Sequence, residues 1–178
     1  MSRSPSTFPW PATLTVDRLV LRPIEAGDVP AMVRLWTDAE VRRHLGGPVD
    51  KETLRVRERH CVGVRGAFSV TLRTDGSVIG GVQLEPDARR AGRVEVSYQL
   101  LPEHWGFGYG REAVAAAVDW VRDWGREATT SGGEEVVAVT QEANVRSRRL
   151  LESIGMRQTE AFVEWGAEQV LYVAGPRD

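Results

Sequence analysis

Three glycines at alternate positions, Gly106, Gly108 and Gly110, lie between an extended apolar run and a long amphipathic segment. Glycine lets the backbone fold so that successive N–H groups point to one side, and the positive end of a following helix dipole adds to their field. Such a loop can bind a diphosphate without a lysine side chain. The sequence of residues 102–113 therefore predicts a site for a phosphorylated cofactor.

The glycine segment has competing interpretations. It could be a tight turn without a ligand. Three alternating glycines, however, lose much conformational entropy on folding, and a simple turn does not need so many. Residues 108–113 also fit the dinucleotide pattern G-x-G-x-x-A, but the acidic residue beyond the next strand, Glu142, comes much later than the about 20 positions of that pattern. Too few strand–helix units follow for a doubly wound sheet. A P-loop is excluded because G-x-x-x-x-G-K-[ST] does not occur in the sequence.

The elements around the glycine segment follow from hydrophobic periodicity. Residues 110–127 form a helix, because apolar residues from Val114 to Trp124 share one side and charged residues share the other. Asp28 is expected to cap another helix. Further helices are predicted at residues 51–61 and 144–154, and strands at residues 14–23, 67–73, 78–84, 93–101, 136–140, 157–165 and 169–174. Only the middle of this order requires a parallel crossover.

The composition describes one globular domain, residues 13–178, preceded by a loose tail over residues 1–12 that is rich in Ser, Thr and Pro. The net charge of −2 disfavours a nucleic-acid surface, and no apolar run reaches the about 18 residues of a membrane span. Cys61 is the only cysteine and the histidines lack ligand spacing, so neither a disulfide nor a metal is expected. Residues 129–133 are expected to form a flexible loop. We expect a cytoplasmic monomer or homodimer.

Four segments of the sequence occur in an order and spacing that are typical of one family. They are Arg18–Pro23, Val94–Tyr98, Trp105–Gly110 and Asn144–Ser147, the last followed by Gly155-Met156. Through them the chain resembles the GNAT N-acetyltransferases, and within these the RimJ/RimL-type ribosomal-protein N-terminal acetyltransferases, from about Leu14 to Ala174. The resemblance implies an α/β fold of the α+β type: a mixed, mostly antiparallel sheet of about seven strands, flanked by four helices and parted near the fourth and fifth strands.

The resemblance also implies that acetyl-CoA is the acyl donor. The glycine loop would bind its pyrophosphate, and the pantetheine arm would pair with the backbone at the end of the preceding strand. The residues that this places at the cofactor are Leu100, Leu101, Trp105, Gly106, Phe107, Gly108, Tyr109, Gly110, Arg111, Asn144 and Ser147. Asn144 has the simpler alternative role of capping the last helix.

Glu95 lies in the middle of an otherwise apolar strand. It could belong to a solvated face of the strand together with Ser97 and Gln99. Alternatively it could act as a general base, since acetylation needs a neutral amine and an α-amine with a pKa of about 8 is mostly protonated at pH 7. In the RimJ/RimL-type pattern a glutamate occupies this position, so the resemblance favours the catalytic role.

Ser147 shares one face of its predicted helix with Leu151 and Ile154. Its hydroxyl could simply bond back to the helix backbone. Many members of the family place a tyrosine one turn later, as the acid that protonates the departing CoA thiolate, and this chain has Leu151 there. The resemblance therefore leaves Ser147 as the nearest acid or partner of the CoA sulfur, with Tyr98 and Tyr172 as alternatives.

Together these expectations describe an acyltransferase that moves acetyl directly from acetyl-CoA to a primary amine, with a protein or peptide N-terminal α-amine favoured. Cys61 lies far in sequence from the loop, so no acyl-enzyme nucleophile is evident. Two alternatives remain: a small-molecule enzyme that acetylates an antibiotic, a polyamine or an amino acid, and a non-catalytic CoA-binding regulatory module. The acceptor is expected to enter between residues 38–50 and 164–168, where Trp36 and Trp165 either line the cleft or belong to the core.

Overall fold

The computed structural model of the chain describes residues 8–128 and 135–175, with only the backbone at residues 126–128. The predicted flexible loop at residues 129–133 lies outside the described residues, as do residues 1–7 of the predicted tail. The described part of that tail is packed: Phe8 is 2% exposed, and its ring meets Trp120 and Trp124 edge to face at centroid distances of 5.3 and 6.5 Å. Burial of this aromatic ring orders a segment whose composition alone is typical of a loose tail.

Apart from the first strand, the predicted helices and strands are confirmed to within a few residues. The helices are α1 (Val29–Thr37), α2 (Lys51–His60), α3 (Tyr109–Ala128) and α4 (Val145–Ser153), with short 3-10 turns at Ala26–Asp28 and Pro102–His104. The strands are β1 (Leu14–Thr15), β2 (Leu19–Pro23), β3 (Ala67–Leu72), β4 (Val78–Pro86), β5 (Arg93–Leu100), β6 (Glu135–Gln141), β7 (Met156–Glu164) and β8 (Ala167–Ala174). None of the described helices is both long and apolar enough to cross a membrane.

The segment predicted as one first strand forms two strands. The backbone N–H of Val16 donates to the Leu19 carbonyl at 3.0 Å, so the chain turns back on itself there. Leu14 then pairs with Leu21 across the turn. The polar pair Asp17-Arg18 occupies this turn, and the described sheet has eight strands for this reason.

The strands form one mixed sheet in the order β1-β2-β3-β4-β5-β6-β8-β7. Antiparallel pairing joins β1 to β2, β2 to β3, β3 to β4, and β8 to both β6 and β7. β5 and β6 run parallel, and their pairing extends only from Arg93 with Glu135 to Glu95 with Val137. This mostly antiparallel sheet with four α-helices confirms the predicted fold class.

Contacts within the chain group it into two compact units. The first unit contains residues 10–83 and 98–113, and therefore β1, β2, β3, α1, α2 and the glycine segment. One apolar cluster of this unit consists of Ile24, Met32, Leu35, Cys61, Ala67 and Leu101. Because Leu101 belongs to this cluster, the point at which the chain enters the glycine segment is anchored in the core of the unit.

Asp28 occupies the predicted N-cap position of α1, but its side chain has a different role. Both of its carboxylate oxygens accept from Arg22, at 2.7 and 3.0 Å, and the Ser69 hydroxyl and the Glu25 N–H also donate to it. Burial alone would raise the pKa of Asp28, but these hydrogen bonds hold it below its ordinary value. The buried carboxylate therefore joins β2, β3 and the start of α1.

The second unit contains residues 84–97 and 114–175 together with Phe8 and Pro9. It includes β6, α4, β7, β8 and most of α3. The side of α3 that was predicted to be apolar is buried here, with Val114 and Val121 fully inaccessible to solvent. The amphipathic pattern of the helix thus identified its packed side.

Candidate active site

The glycine segment begins where β5 ends. The indole N–H of Trp105 donates to the Leu100 carbonyl (2.8 Å), and the backbone N–H of Leu101 donates to the Ile79 carbonyl (2.9 Å). The Leu101 carbonyl accepts from the His104 N–H (3.0 Å). These bonds fix the direction in which the chain leaves the strand. The backbone N–H and carbonyl of Leu101 are both hydrogen-bonded within the protein. A ligand could therefore bond only to the carbonyl oxygen, as a second donor beside His104.

Gly80 lets β4 approach the end of β5 closely. A methyl group added at Gly80 would lie 2.4 Å from the Gln99 carbonyl oxygen and 2.8 Å from Cδ2 of Leu100. Only glycine fits at such a distance. The side-chain oxygen of Gln99 is buried and has no hydrogen-bond donor within the described residues. A buried acceptor without a donor is unfavourable, which suits a ligand N–H at this point.

The loop that follows has a backbone suited to an anion. Gly106 and Gly108 have φ angles of +85° and +80°, in a region that side chains rarely permit. α3 begins at Tyr109, and the first N–H groups of an α-helix have no acceptor within the helix. These N–H groups and the helix dipole attract negative charge at the loop.

Arg18 holds this loop, a role that the sequence does not indicate. Its Nη1 donates to the Phe107 carbonyl (2.8 Å), and its Nε and backbone N–H each donate to one oxygen of Glu112 (2.8 and 2.6 Å). The guanidinium carbon lies 4.5 Å from the ring centroid of Tyr109. Arg18 opens one of the family segments, but Glu112 lies 94 positions away, so no local pattern connects the two residues.

The remaining nitrogen of Arg18 adds positive charge beside the loop. Nη2 lies 3.4 Å from the position that a Cβ would take at Gly108, and no acceptor for it is found among the described residues. It can therefore donate to an oxygen of a bound phosphate. A larger residue at Gly108 would press against this guanidinium as well as strain the backbone.

Glu95 is ion-paired and mostly buried. Its side chain is 19% exposed, and its Oε2 accepts from Nη1 of Arg89 at 2.9 Å. Nη2 of the same guanidinium donates to Glu164 on β7 at 2.8 Å. Ser97, two residues further along β5, is exposed. Glu95 is therefore not one of a uniformly solvated row of side chains.

The surroundings of Glu95 favour its neutral form. Burial raises the pKa of Glu95 above the ordinary glutamate value, and the Arg89 charge and hydrogen bond oppose this only in part. The nearby carboxylates of Asp87 and Glu85 add to the rise. A carboxylate with a raised pKa is a better proton acceptor near neutral pH than an exposed one.

α4 places Asn144 and Ser147 together at its first turn. The Asn144 Oδ1 accepts from the Ser147 backbone N–H at 3.2 Å, so Asn144 caps the helix. Ser147 is half-buried, and Leu151 one turn later is fully buried. Leucine has no proton to donate, so the Ser147 hydroxyl is the candidate proton donor on this face of α4.

Tyr172, one of the alternative acids, is engaged in another network. Its ring is fully buried, and its hydroxyl donates to Oε1 of Glu152 (2.8 Å) and accepts from Nε of Arg148 (3.3 Å). Burial raises the pKa of the Tyr172 hydroxyl. Its proton thus serves to fasten α4 to β8. Tyr98 is half-buried on β5 and stays an alternative.

Two tryptophans and the cysteine were further candidates, and each has a different environment. Trp36 packs against the apolar cluster of the first unit, whereas Trp165 is 90% exposed at a φ of +55° in the β7–β8 turn. Burial raises the pKa of the Cys61 thiol, which makes the nucleophilic thiolate scarce. Among the described residues, no group of His, Cys, Asp or Glu is arranged to hold a metal ion.

The predicted site residues are divided between the two units. The first unit contains Leu100, Leu101, Trp105, Gly106, Phe107, Gly108, Tyr109, Gly110 and Arg111. The second contains Glu95, Asn144 and Ser147. The glycine segment and its clamp by Arg18 therefore belong to the first unit, and the side chains predicted to transfer protons belong to the second.

Comparison with known proteins identifies the family. Residues 18–157 match the family described as "Acetyltransferase (GNAT) domain". The match covers most of the chain, so the protein belongs to the GNAT acetyltransferases. A curated relative, the uncharacterized N-acetyltransferase p20 of Bacillus licheniformis, is 26% identical over 153 residues, which are 82% of this chain and 83% of the relative. The uncharacterized N-acetyltransferase YoaA of Bacillus subtilis is 27% identical over 154 residues, 82% of each chain.

Solved structures share the fold at lower identity. An acetyltransferase of the GNAT family from Bacillus anthracis has a TM-score of 0.78 at 20% identity, over 91% of this chain and 97% of its own. Spermidine N-acetyltransferase from Vibrio cholerae, in complex with CoA and spermine, has a TM-score of 0.71 at 18% identity, over 88% and 94%. Ribosomal-protein-S5-alanine acetyltransferase from Vibrio fischeri has a TM-score of 0.67 at 16% identity, over 91% and 95%.

Membership of the family settles the class of activity. The protein is an acyltransferase, a GNAT N-acetyltransferase, and its family uses acetyl-CoA. The alternative of a non-catalytic CoA-binding module is therefore set aside. The acceptor amine is the question that the family leaves open.

Proposed function

We propose that the protein transfers acetyl from acetyl-CoA directly to the α-amine of a peptide or protein N-terminus, as its RimJ/RimL-type resemblance indicates. The observation that carries the proposal is Glu95, a mostly buried carboxyl group with a raised pKa. At pH 7 an α-amine with a pKa of about 8 is about one-tenth neutral, whereas a lysine ε-amine with a pKa of about 10.4 is far below a thousandth neutral. A single carboxylate base suits the α-amine.

The glycine loop is the proposed binding site for the pyrophosphate of the acyl donor. The φ angles of Gly106 and Gly108, the N–H groups at the start of α3 and the Nη2 of Arg18 support this assignment. The buried oxygen of Gln99 supports a nearby position for the pantetheine arm, because an amide N–H of that arm would supply the missing donor. Acetyl-CoA itself supplies an activated thioester.

The proton transfers are assigned to Glu95 and Ser147. In the reaction a bond forms between the amine nitrogen and the acetyl carbon, and the thioester C–S bond breaks. Glu95 takes the proton that the ammonium loses, directly or through water. The Ser147 hydroxyl gives its proton to the departing sulfur and regains, through water, the second proton, which the nitrogen loses as the amide forms. Asn144 fixes the turn that carries Ser147. The scarce thiolate of buried Cys61 favours this direct transfer over an acyl-enzyme.

A polyamine is the second candidate acceptor, and one observation favours it. The side chains of Asp87, Glu95, Glu160 and Glu164 in the second unit lie around two arginines, so negative charge exceeds positive charge there. Such a cluster attracts a polycation. The fold does not decide between these acceptors, because it is shared with both a spermidine and a ribosomal-protein acetyltransferase.

The acceptor can be tested with a peptide that has a free N-terminus and an internal lysine. A peptide of the same sequence with a blocked N-terminus is the control, and spermidine is the competing acceptor. With acetyl-CoA at pH 7, mass spectrometry should locate the acetyl group on the α-amine, and the blocked peptide should remain unmodified. Acetylation confined to lysine or to spermidine would contradict the proposed acceptor while the acetyltransferase activity stands.

A further inference from the structure

Arg89, in the turn between β4 and β5, joins three acidic side chains of the second unit. Its Nη1 donates to Glu95 (2.9 Å) and lies 3.5 Å from Oδ1 of Asp87, and its Nη2 donates to Glu164 (2.8 Å). The guanidinium carbon lies 5.4 Å from the ring centroid of Phe162 on β7. The side chain is only 31% exposed, although it belongs to a turn. Contacts from several directions thus fix the guanidinium in one place.

The other charges around Glu95 make its ion pair with Arg89 important for its ionisation. Burial, Asp87 and Glu85 all raise the pKa of Glu95, and Glu164 faces it across the shared guanidinium. The backbone N–H of Arg89 donates to Asp87 (2.9 Å), which keeps that buried carboxylate beside the cluster. Arg89 is the positive group that contacts Glu95. Arg93, two residues before Glu95 on β5, instead faces Asp87, Glu135 and Glu160. Without Arg89, burial and acidic neighbours would act on Glu95 unopposed.

We infer that Arg89 is a positioning residue for acetyl transfer, which orients the Glu95 carboxylate and keeps it ionised so that it can accept a proton. The inference rests on the proposed role of Glu95 as the base. Glu164 and Phe162 contribute by holding the guanidinium against β7, so that it cannot turn away into solvent. A planar guanidinium can bridge two carboxylates in a fixed geometry, which an ammonium group cannot do.

The test is the dependence of kcat/KM on pH in the parent enzyme, Arg89→Gln and Arg89→Lys. Loss of a nearby opposite charge shifts a carboxyl pKa by about 1–3 units, so Arg89→Gln should move the acidic limb of the profile upward by at least about one unit. At pH values well below both limbs its activity relative to the parent should fall about tenfold, and it should recover as the pH rises above the shifted limb. Arg89→Lys keeps the charge, so its acidic limb should lie close to the pH of the parent limb. Arg34→Gln, which removes an exposed ion pair with Glu103, is the matched control and should leave the profile unchanged.

The outcomes separate the inference from the proposal beneath it. An Arg89→Gln profile lowered by one constant factor at every pH would overturn the inference, because a merely structural role predicts that result. Near-parental activity of Glu95→Gln would instead reject Glu95 as the base. If Glu95→Gln is inactive while the Arg89→Gln limb is unmoved, only the role of Arg89 fails. If Arg89→Gln does not fold, Arg89→Met keeps the packing over Phe162 without the charge. Its acidic limb should then move upward by the same amount, and an unmoved limb would overturn the inference.

Discussion

At the scale of single residues, one arginine in each unit holds candidate functional residues in place. Arg18 joins the Phe107 carbonyl to Glu112, and Arg89 joins Glu95 to Glu164. Each uses different nitrogens of one guanidinium for the two acceptors, which is a geometry that lysine does not offer. Both contacts bridge segments distant in sequence, 94 and 75 positions apart. They therefore fix loops that local sequence signals cannot fix.

The clamp of the glycine loop should be visible in donor binding. Arg18→Gln removes the charge-assisted bonds to Phe107 and Glu112 and the free nitrogen beside Gly108. Such bonds contribute about 1.5–3 kcal/mol each, so we expect KM for acetyl-CoA to rise about 10- to 100-fold with little change in kcat. Steady-state kinetics measure this. The KM for acetyl-pantetheine, which lacks the pyrophosphate, should hardly change, and an equal rise for both donors would contradict the assignment.

The role of Ser147 can be tested against another serine of α4. Ser147→Ala removes the proposed acid and should lower kcat by about 10²- to 10⁴-fold, the usual contribution of general acid catalysis. Ser153→Ala is the matched control, since its hydroxyl donates only to the Leu150 carbonyl (2.7 Å). Single-turnover and steady-state rates at saturating donor should separate the two variants. Similar rates in both would leave Ser147 with a structural role.

At the scale of elements, the sequence predicts helices and turns that depend on neighbouring residues, but not the strand pairing that depends on distant ones. The one-sided apolar pattern of α3 and the Asp75-Gly76 turn between β3 and β4 are short-range signals, and both elements form where expected. The segment 14–23 has apolar residues on both sides of the polar pair Asp17-Arg18, and the chain turns there so that Leu14 pairs with Leu21. Alternation alone does not show such a turn.

The close approach of β4 and β5 gives a prediction at this scale. Gly80→Ala would place a methyl group 2.4 Å from the Gln99 carbonyl oxygen, so β5 must shift, at a loss of about 1–3 kcal/mol in the free energy of unfolding. Gly81→Ala is the matched control, because its nearest contact would be 3.4 Å. Urea unfolding measures both variants. Equal stability of the two would show that the end of β5 is not packed tightly on Gly80.

At the scale of the whole molecule, family motifs predicted the class of enzyme and the location of the glycine loop. The long-range polar contacts within each unit could not be predicted, because the partners are tens of residues apart in sequence. The sequence does not show which of its many carboxylates each donor contacts. Nor could the burial of Phe8 be predicted, because it depends on Trp120 and Trp124. Composition describes only what a segment can do by itself.

Stability as a function of pH is a property of the whole molecule that one buried network should dominate. The bonds from Arg22, Glu25 and Ser69 hold the pKa of Asp28 below its ordinary value, although burial opposes them. A carboxyl group whose pKa is lower in the folded state contributes stability above its unfolded pKa, and this stability is lost as the pH falls through the folded pKa. The parent protein should therefore lose this contribution below about pH 4.

Asp28→Asn has no proton to bind and cannot pair with Arg22, so it should already be less stable at pH 7, by at least about 2 kcal/mol. Its further loss between pH 7 and pH 3 should be smaller than that of the parent, because one acid-sensitive group is gone. Urea unfolding at pH 7, 5 and 3 gives both differences. Glu40→Gln, which removes the exposed ion pair with Arg43, is the control and should follow the parent. Parallel pH curves for Asp28→Asn and the parent would mean that the acid sensitivity of the fold has another origin.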